Sequence, residues 1–173
     1  MKKLFILLFL LSVFLPIVFA GSQDDELYSD AVAAVKDKNF ELAFSDLHTL
    51  VSTCTDEKLL DKSMFSLGEY YFSTGNYKDA VRIFMQINRR FLNSKARLFV
   101  LAYLLEISRM SGDKEEAVLL EREIISFTKV SLLFRDYKVY RYVSVFKKTY
   151  KSVYFIDKIE FYIDDKLFSS IAY

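Results

Sequence analysis

Residues Gly75-Asn76-Tyr77-Lys78-Asp79-Ala80 form the centre of a pattern that occurs three times in the chain. The pattern appears 37 residues earlier as Asn39-Phe40-Glu41-Leu42-Ala43 and 37 residues later as Asp113-Lys114-Glu115-Glu116-Ala117. The leading glycine recurs as Gly112, whereas Lys38 stands at that place in the first copy. A fixed period of this length is typical of repeat proteins, in which each copy is one supersecondary unit.

Each copy has the periodicity of two helices joined by a turn. Apolar or small residues recur at i, i+3, i+4 and i+7 on both sides of Gly75, which indicates two amphipathic helices. In the second copy the two stripes are Met64, Leu67, Gly68 and Tyr71, and then Tyr77, Ala80, Val81 and Phe84. Gly75 can take a positive φ at the end of the first helix. The recurrent alanine predicts the point where the two helices approach most closely.

These residues resemble the tetratricopeptide repeat family. The resemblance covers residues 24–131 and is closest in the second copy. The outer copies depart from the family pattern at Asp30, Leu105, Ser108, Lys114 and Glu121. The segment Arg89–Lys95 resembles the inter-repeat segment of bacterial envelope members, such as the periplasmic repeat protein of the Tol–Pal system and the repeat lipoprotein of the barrel-assembly machine.

The predicted fold is therefore all-α, a right-handed solenoid of helical hairpins with a C-terminal helical cap. We expect three hairpins, at residues 24–57, 61–94 and 98–131. One hairpin cannot bury its apolar stripe alone, and stacking in series solves that problem.

Residues 132–173 contain no clear fourth copy, and two interpretations compete for them. Apolar residues at helical spacing favour a divergent helical hairpin. The two stripes are Val139, Tyr142, Val143, Phe146 and Tyr150, and then Ile156, Ile159, Ile163, Leu167 and Ile171. The alternative is a β-hairpin, because Ile159–Ile163 is rich in strand formers and Asp164–Lys166 could form a turn. No glycine or proline follows Gly112, so we expect the helical cap.

The first twenty residues have the three parts of a secretory signal peptide. Lys2 and Lys3 precede an apolar run, and Val18-Phe19-Ala20 ends in a small residue. We expect export, to the periplasm or beyond the cell, with cleavage after Ala20. The alternative is an uncleaved membrane anchor, although the run is short for a bilayer span and Pro16 interrupts it.

The inventory of reactive residues argues against an enzyme. His48 is the only histidine and Cys54 the only cysteine, so neither a two-histidine metal site nor an intramolecular disulfide is available. No phosphate-binding glycine loop is present. We therefore expect no catalytic residues, no metal, no cofactor and no bound small molecule.

The charge of the chain is unevenly distributed. Residues 21–128 carry 13 Lys and Arg against 18 Asp and Glu, whereas residues 129–173 carry 9 against 5. The nearly neutral total predicts no general attraction to nucleic acid. This unequal distribution of charge would favour head-to-tail contact between copies of the chain, so a homo-oligomer is a possible assembly.

A second apolar line on the first helices is the candidate binding surface. Phe65, Glu69 and Phe72 lie opposite the core stripe of their helix, and a helix apolar on both faces is either buried on both or binds a partner. The family resemblance places this line on the inner, concave face of the stack. We name it the predicted groove face: Tyr28, Val32, Phe65, Glu69, Phe72, Phe99, Glu106 and Arg109. The alternative is that its aromatic rings pack against the C-terminal segment of the same chain.

The sequence thus predicts an exported repeat protein that binds a protein or peptide, as a scaffold or adaptor in cell-envelope assembly. Two other functions stay open. One is a structural envelope protein that self-associates, and the other is a membrane-tethered subunit that retains its leader.

The leader prediction can be tested directly. We expect the exported protein to begin at Gly21, because the small residue at the end of the apolar run suits signal peptidase. N-terminal sequencing and intact mass of protein recovered from the envelope measure this. An exported chain that still begins at Met1 would favour the membrane anchor instead.

Overall fold

A computed structural model describes residues 23–133 and 139–173, so the predicted leader lies outside the described residues. Six helices and four strands occur in the described part of the chain. The helices are α1 (residues 23–36), α2 (Phe40–Thr53), α3 (Glu57–Ser73), α4 (Tyr77–Arg90), α5 (Arg97–Ser111) and α6 (Lys114–Leu133). The strands are β1 (Val139–Val143), β2 (Thr149–Tyr154), β3 (Lys158–Ile163) and β4 (Lys166–Ala172). None of the described helices has the length and apolarity that crossing a membrane requires.

The chain divides into two compact units, Met1–Ser63 and Met64–Tyr173, and the boundary falls within α3. In the second unit α4 packs against α5, and α5 packs against α6. The part of α3 in this unit meets α4 at Gly68, where an added Cβ would lie 2.6 Å from the ring of Phe84. Neighbouring helices are therefore packed in sequence order, as a helical repeat requires.

The same local structure closes the first helix of all three pairs. Lys38, Gly75 and Gly112 have φ values of 60°, 77° and 77°, in the left-handed region. The next residue donates its N–H to the carbonyl five residues back, which is the Schellman motif that ends many helices. These bonds are Asn39 to Ala34 (2.8 Å), Asn76 to Tyr71 (2.9 Å) and Asp113 to Ser108 (2.9 Å).

The residue that completes each Schellman motif also caps the helix that follows. A side-chain oxygen of Asn39, Asn76 or Asp113 accepts a hydrogen bond from the backbone N–H three residues later. This satisfies one of the unpaired donors at a helix N-terminus. The recurrence of both motifs at 37 residues gives the repeat a physical basis that does not depend on tertiary packing.

The repeated apolar positions are buried in each copy. Ala43, Ala80 and Ala117 are 0%, 0% and 7% exposed. Seven residues further on, Leu50, Ile87 and Ile124 are all fully buried. Close-packed helical hairpins need small residues where the paired helices meet and large residues about two turns later.

The prediction of a C-terminal helical cap is wrong, and the fold is not all-α. Residues 139–172 form an antiparallel sheet in the order β1-β2-β3-β4. The stripe that suggested a helix consists of aromatic and β-branched residues, which also suit strands. Tyr142 and Tyr150 lie opposite each other in adjacent strands rather than two turns apart on a helix. The alternative interpretation of Ile159–Ile163 as a strand agrees with the structure.

The turns of the sheet form without glycine, so the absence of glycine after Gly112 does not argue against strands. Asp164 and Asp165 connect β3 to β4 with φ values of 49° and 59°, and Lys147 has a φ of 59° before β2. Aspartate enters the left-handed region more readily than most residues because its short polar side chain bonds locally. In this turn the bond is not local: Oδ1 of Asp164 accepts from the backbone N–H of Thr149, at the start of the neighbouring strand β2, at 2.8 Å.

Lys38 is the one Schellman position that lacks a glycine, and we expect Lys38→Gly to stabilise the protein. Glycine removes the steric cost of a positive φ, and this gain exceeds the entropy that it adds to the unfolded chain, so the free energy of unfolding should rise by up to ~1 kcal/mol. Chemical denaturation measures the change. Gly112→Lys is the matched control and should lower the free energy of unfolding by a similar amount. A loss of stability in Lys38→Gly would contradict this account of the cap.

Candidate functional site

The predicted groove face is divided between the two units of the chain. Tyr28 and Val32 are half-buried on α1, and Nζ of Lys62 lies 6.0 Å from the centroid of the Tyr28 ring. The other six residues belong to the second unit, where α3 and α5 carry them. The structure brings these six together beneath the C-terminal sheet.

Phe65 and Phe99 are covered by the aromatic side chains of that sheet. Phe65 is fully buried, with ring centroids 5.1 Å from Tyr142 and 5.2 Å from Tyr150. Phe99 is 2% exposed and lies 5.2 Å from Tyr150 and 6.2 Å from Phe161. Edge-to-face geometry dominates these pairs, and such pairs add stability beyond the apolar area that they bury.

Phe72 occupies the other end of the same face. Its ring lies 4.8 Å from that of Tyr103 and 5.9 Å from that of Phe168 on β4. The aromatic line of α3 and α5 therefore packs against the chain's own C-terminal segment, which was the alternative interpretation of this surface.

Polar residues of α3 and α5 bind backbone groups of the sheet and its loops. The buried Oγ of Ser66 accepts a hydrogen bond from the N–H of Val145 at 3.3 Å. Nη2 of Arg109 donates to the carbonyl of Ser170 at 3.3 Å, and Nη1 donates to Oγ of Ser169 at 3.1 Å. The helical face thus recognises main-chain as well as side-chain atoms of the docked segment.

Arg109 is held in place by two carboxylates. Its guanidinium lies 2.7 Å from Glu106, one turn earlier on α5, and 2.9 Å from Glu121 on α6. Glu106 also accepts a hydrogen bond from Oγ of Ser169 at 2.7 Å. Five donors in a planar fork allow arginine to serve several acceptors at once, so Arg109 joins α5, α6 and β4.

Glu69 is the most unusual member of the face, because it is a carboxylate that is 1% exposed. Nζ of Lys148, in the β1–β2 loop, lies 3.2 Å from its Oε1. Burial raises the pKa of Glu69, and the charge of Lys148 opposes this shift. Behind the pair, the hydroxyls of Tyr103 and Tyr150 are hydrogen-bonded at 2.8 Å.

The sequence interpretation missed four residues of the site. Ser66 binds the docked backbone, Lys148 pairs with Glu69, and the hydroxyls of Tyr103 and Tyr150 bind each other. The sequence signal for a close contact was the pair of small residues on either side of Phe65, Ser63 and Ser66, both of which are fully buried in the structure. Small side chains let another backbone approach a helix closely. The sequence does not say which distant segment makes that approach.

Reactive groups elsewhere in the described residues do not assemble into a second site. His48 is exposed on α2, and burial is the main cause that raises the pKa of the Cys54 thiol to about 11. A thiol with so high a pKa is a poor nucleophile. In residues 23–133 and 139–173, no three His, Cys, Asp or Glu side chains are grouped so that they could hold a metal ion.

Comparisons with protein-family models, curated proteins and solved structures found no match to this chain.

The buried carboxylate predicts how stability depends on pH. A carboxyl whose pKa is higher in the folded than in the unfolded protein favours folding most when it is protonated. The contribution of Glu69 should therefore be complete below its unfolded pKa, near 4.5, and should be lost as pH rises through the higher folded value. Each unit of pKa difference corresponds to about 1.4 kcal/mol.

We expect Glu69→Gln to remove this loss. Urea denaturation at a series of pH values should show the variant to be more stable than the parent at pH 8, by about 1 kcal/mol, with little difference at pH 4. Glu115→Gln, on the exposed face of α6, is the matched control and should show neither effect. A Glu69→Gln variant that is less stable at pH 8 would mean that the ion pair with Lys148 outweighs the burial penalty.

Proposed function

We propose that this protein is an exported polypeptide-binding scaffold of the tetratricopeptide type, which acts as an adaptor in cell-envelope assembly. In this proposal the hairpins form a right-handed solenoid, and the leader directs the chain out of the cytoplasm. No catalytic or cofactor role is included.

One observation carries the proposal, namely that α3 and α5 bind the backbone of another segment. Ser66 accepts from a main-chain N–H, and Arg109 donates to a main-chain carbonyl. Contacts of this kind are independent of the side chains of the bound segment, so they suit a surface that holds polypeptide. Aromatic pockets beside them supply the apolar contacts that anchor such a segment.

The C-terminal sheet serves as a built-in ligand of this surface. The sheet packs on Phe65, Phe72 and Phe99, against which an external peptide would otherwise lie. The first hairpin contributes Tyr28 and Val32 at the corresponding repeat positions, and both are half-buried. We therefore assign the binding of the external partner to the α1 part of the predicted groove face.

Site-specific photocrosslinking in the native cell tests this assignment. With a photoreactive amino acid at Val32, we expect one discrete intermolecular adduct, because this position should contact the partner. The matched control is Phe72, a half-buried position of the same face whose ring contacts Phe168. It should crosslink only within the chain.

The pattern of adducts decides between the alternatives. No discrete adduct from Val32 would contradict the scaffold proposal for this surface. An intermolecular adduct from Phe72 as strong as that from Val32 would mean that the sheet leaves the face and is not a permanent ligand. Adducts with a second copy of this chain would favour the self-associating envelope protein.

A further inference from the structure

Large apolar side chains project from one end of the C-terminal sheet. Ile156 is 100% exposed and Phe155 is 40% exposed, and both belong to a tight connection between two paired strands. Tyr173, which follows β4, is 43% exposed. Single exposed apolar residues are common on protein surfaces, but a cluster at an apex indicates a contact surface.

The sheet register places these residues together. The N–H of Phe155 donates to the carbonyl of Lys158, so Ile156 and Asp157 form the apex of the β2–β3 hairpin. The N–H of Tyr173 donates to the carbonyl of Asp157, which brings the end of β4 beside this apex. Val139, the first residue of β1, pairs with Val153, so the apex extends roughly two to three residues, or about 10 Å, beyond β1.

The loop between α4 and α5 lies near the same end of the sheet. The hydroxyl of Tyr140 donates to the carbonyl of Lys95 at 2.8 Å, and Tyr140 is the second residue of β1. This loop adds another exposed apolar residue, Leu92, at 59%. It also adds the exposed cation Lys95, and the exposed cation Arg89 lies in the last turn of α4 just before the loop. Neither takes part in an ion pair with the residues that the structure describes.

We propose that this apolar and basic edge binds the surface of an anionic lipid bilayer. We call it the basic edge, and it consists of Arg89, Leu92, Lys95, Phe155, Ile156 and Tyr173. Its apolar members would enter the boundary between headgroups and acyl chains, whereas the two cations would pair with lipid phosphate groups.

The chemistry favours a bilayer over a protein partner. The edge is a protruding apex with separate cations beside it, whereas a specific protein interface needs a continuous and complementary patch. Tyrosine is enriched at membrane interfaces because its ring is apolar and its hydroxyl is polar. Nζ of Lys158 lies 5.2 Å from the centroid of the Phe155 ring, but its charge is paired with Glu160 at 2.7 Å, and Asp157 at the apex is an exposed carboxylate. The cations available to lipid phosphate are therefore Arg89 and Lys95.

The four uncharged side chains of the basic edge alone would bind a membrane only marginally and reversibly, so the cations are needed as a second signal. The proposed binding is therefore peripheral and should weaken as salt is added. It does not depend on the polypeptide-binding function, because it uses residues outside the predicted groove face.

A fluorescent probe at the apex tests the proposal on the full chain. In a Cys54→Ser background, Ile156→Cys is labelled with an environment-sensitive nitrobenzoxadiazole dye and mixed with vesicles of phosphatidylcholine and phosphatidylglycerol. Transfer of the dye from water into the bilayer interface should shift its emission to the blue and increase the intensity about twofold or more. Vesicles of phosphatidylcholine alone should give a much smaller change.

The matched control is the same dye on Leu42→Cys. Leu42 is 49% exposed on α2 and lies outside the basic edge, beside the acidic residues Asp30, Asp37 and Asp46, so its emission should not shift. Any effect of the leader is common to both labelled proteins. Equal shifts at both positions, or no shift at Ile156→Cys, would overturn the proposal, and the second result is what a protein contact at the apex would produce.

Charge reversal provides an independent measurement. Arg89→Glu with Lys95→Glu should reduce the affinity of the labelled apex for anionic vesicles by about tenfold or more, since each basic residue near such a surface strengthens binding severalfold. Lys114→Glu with Arg122→Glu makes the same change in net charge at two exposed positions of α6 and should have little effect. Equal losses in both double variants would mean that total charge, and not the basic edge, controls binding.

Discussion

Burial of Phe65 against Tyr142 and Tyr150 is the interaction on which the second unit of this protein depends. In aqueous solution, a helix that is apolar on two faces needs both faces covered by other parts of the protein. The helix that carries Phe65 already uses one face to pack against α4. The C-terminal sheet covers the other. Full burial of one phenylalanine contributes about 1.5–3 kcal/mol, which is a sizeable fraction of the net stability of a small domain. The sheet is thus part of the core of this unit.

The helical part of the fold was predictable because its signals are local. Asn76 both completes one helix end and caps the next helix, and its counterparts recur at a fixed spacing. The sheet was harder to predict because Tyr142 and Tyr150 suit both a helical stripe and an alternating strand. Turn chemistry would have separated the two, but aspartates at 164 and 165 hold the positive φ values that glycine usually marks. Local propensity was ambiguous there, and long-range packing against α3 and α5 favours the strands.

The candidate site was predictable only in part, for a related reason. Periodicity identifies Phe65 and Phe99 as members of a second apolar face, since that needs only the spacing of residues on a helix. The occupant of the face comes from residues more than forty positions away, and no local pattern encodes that pairing. The same limit applies to Glu69. The residues next to Glu69 in sequence do not indicate that Lys148 lies 3.2 Å from its carboxylate. The burial of Glu69 is therefore visible only in the folded chain.

Docking of the sheet also determines which surfaces stay available for binding. The aromatic rings that could anchor an external segment in the second unit are used within the chain, and Arg109 adds polar contacts to β4. Docking also holds the hairpin apex of the sheet at a defined place, because the hydroxyl of Tyr140 on β1 donates a hydrogen bond to the carbonyl of Lys95. An apolar side chain on a mobile tail would lose conformational entropy whenever it entered a membrane. Ile156 sits on a short turn between two paired strands, so most of that entropy is already lost on folding, and the same contact can then contribute more to binding.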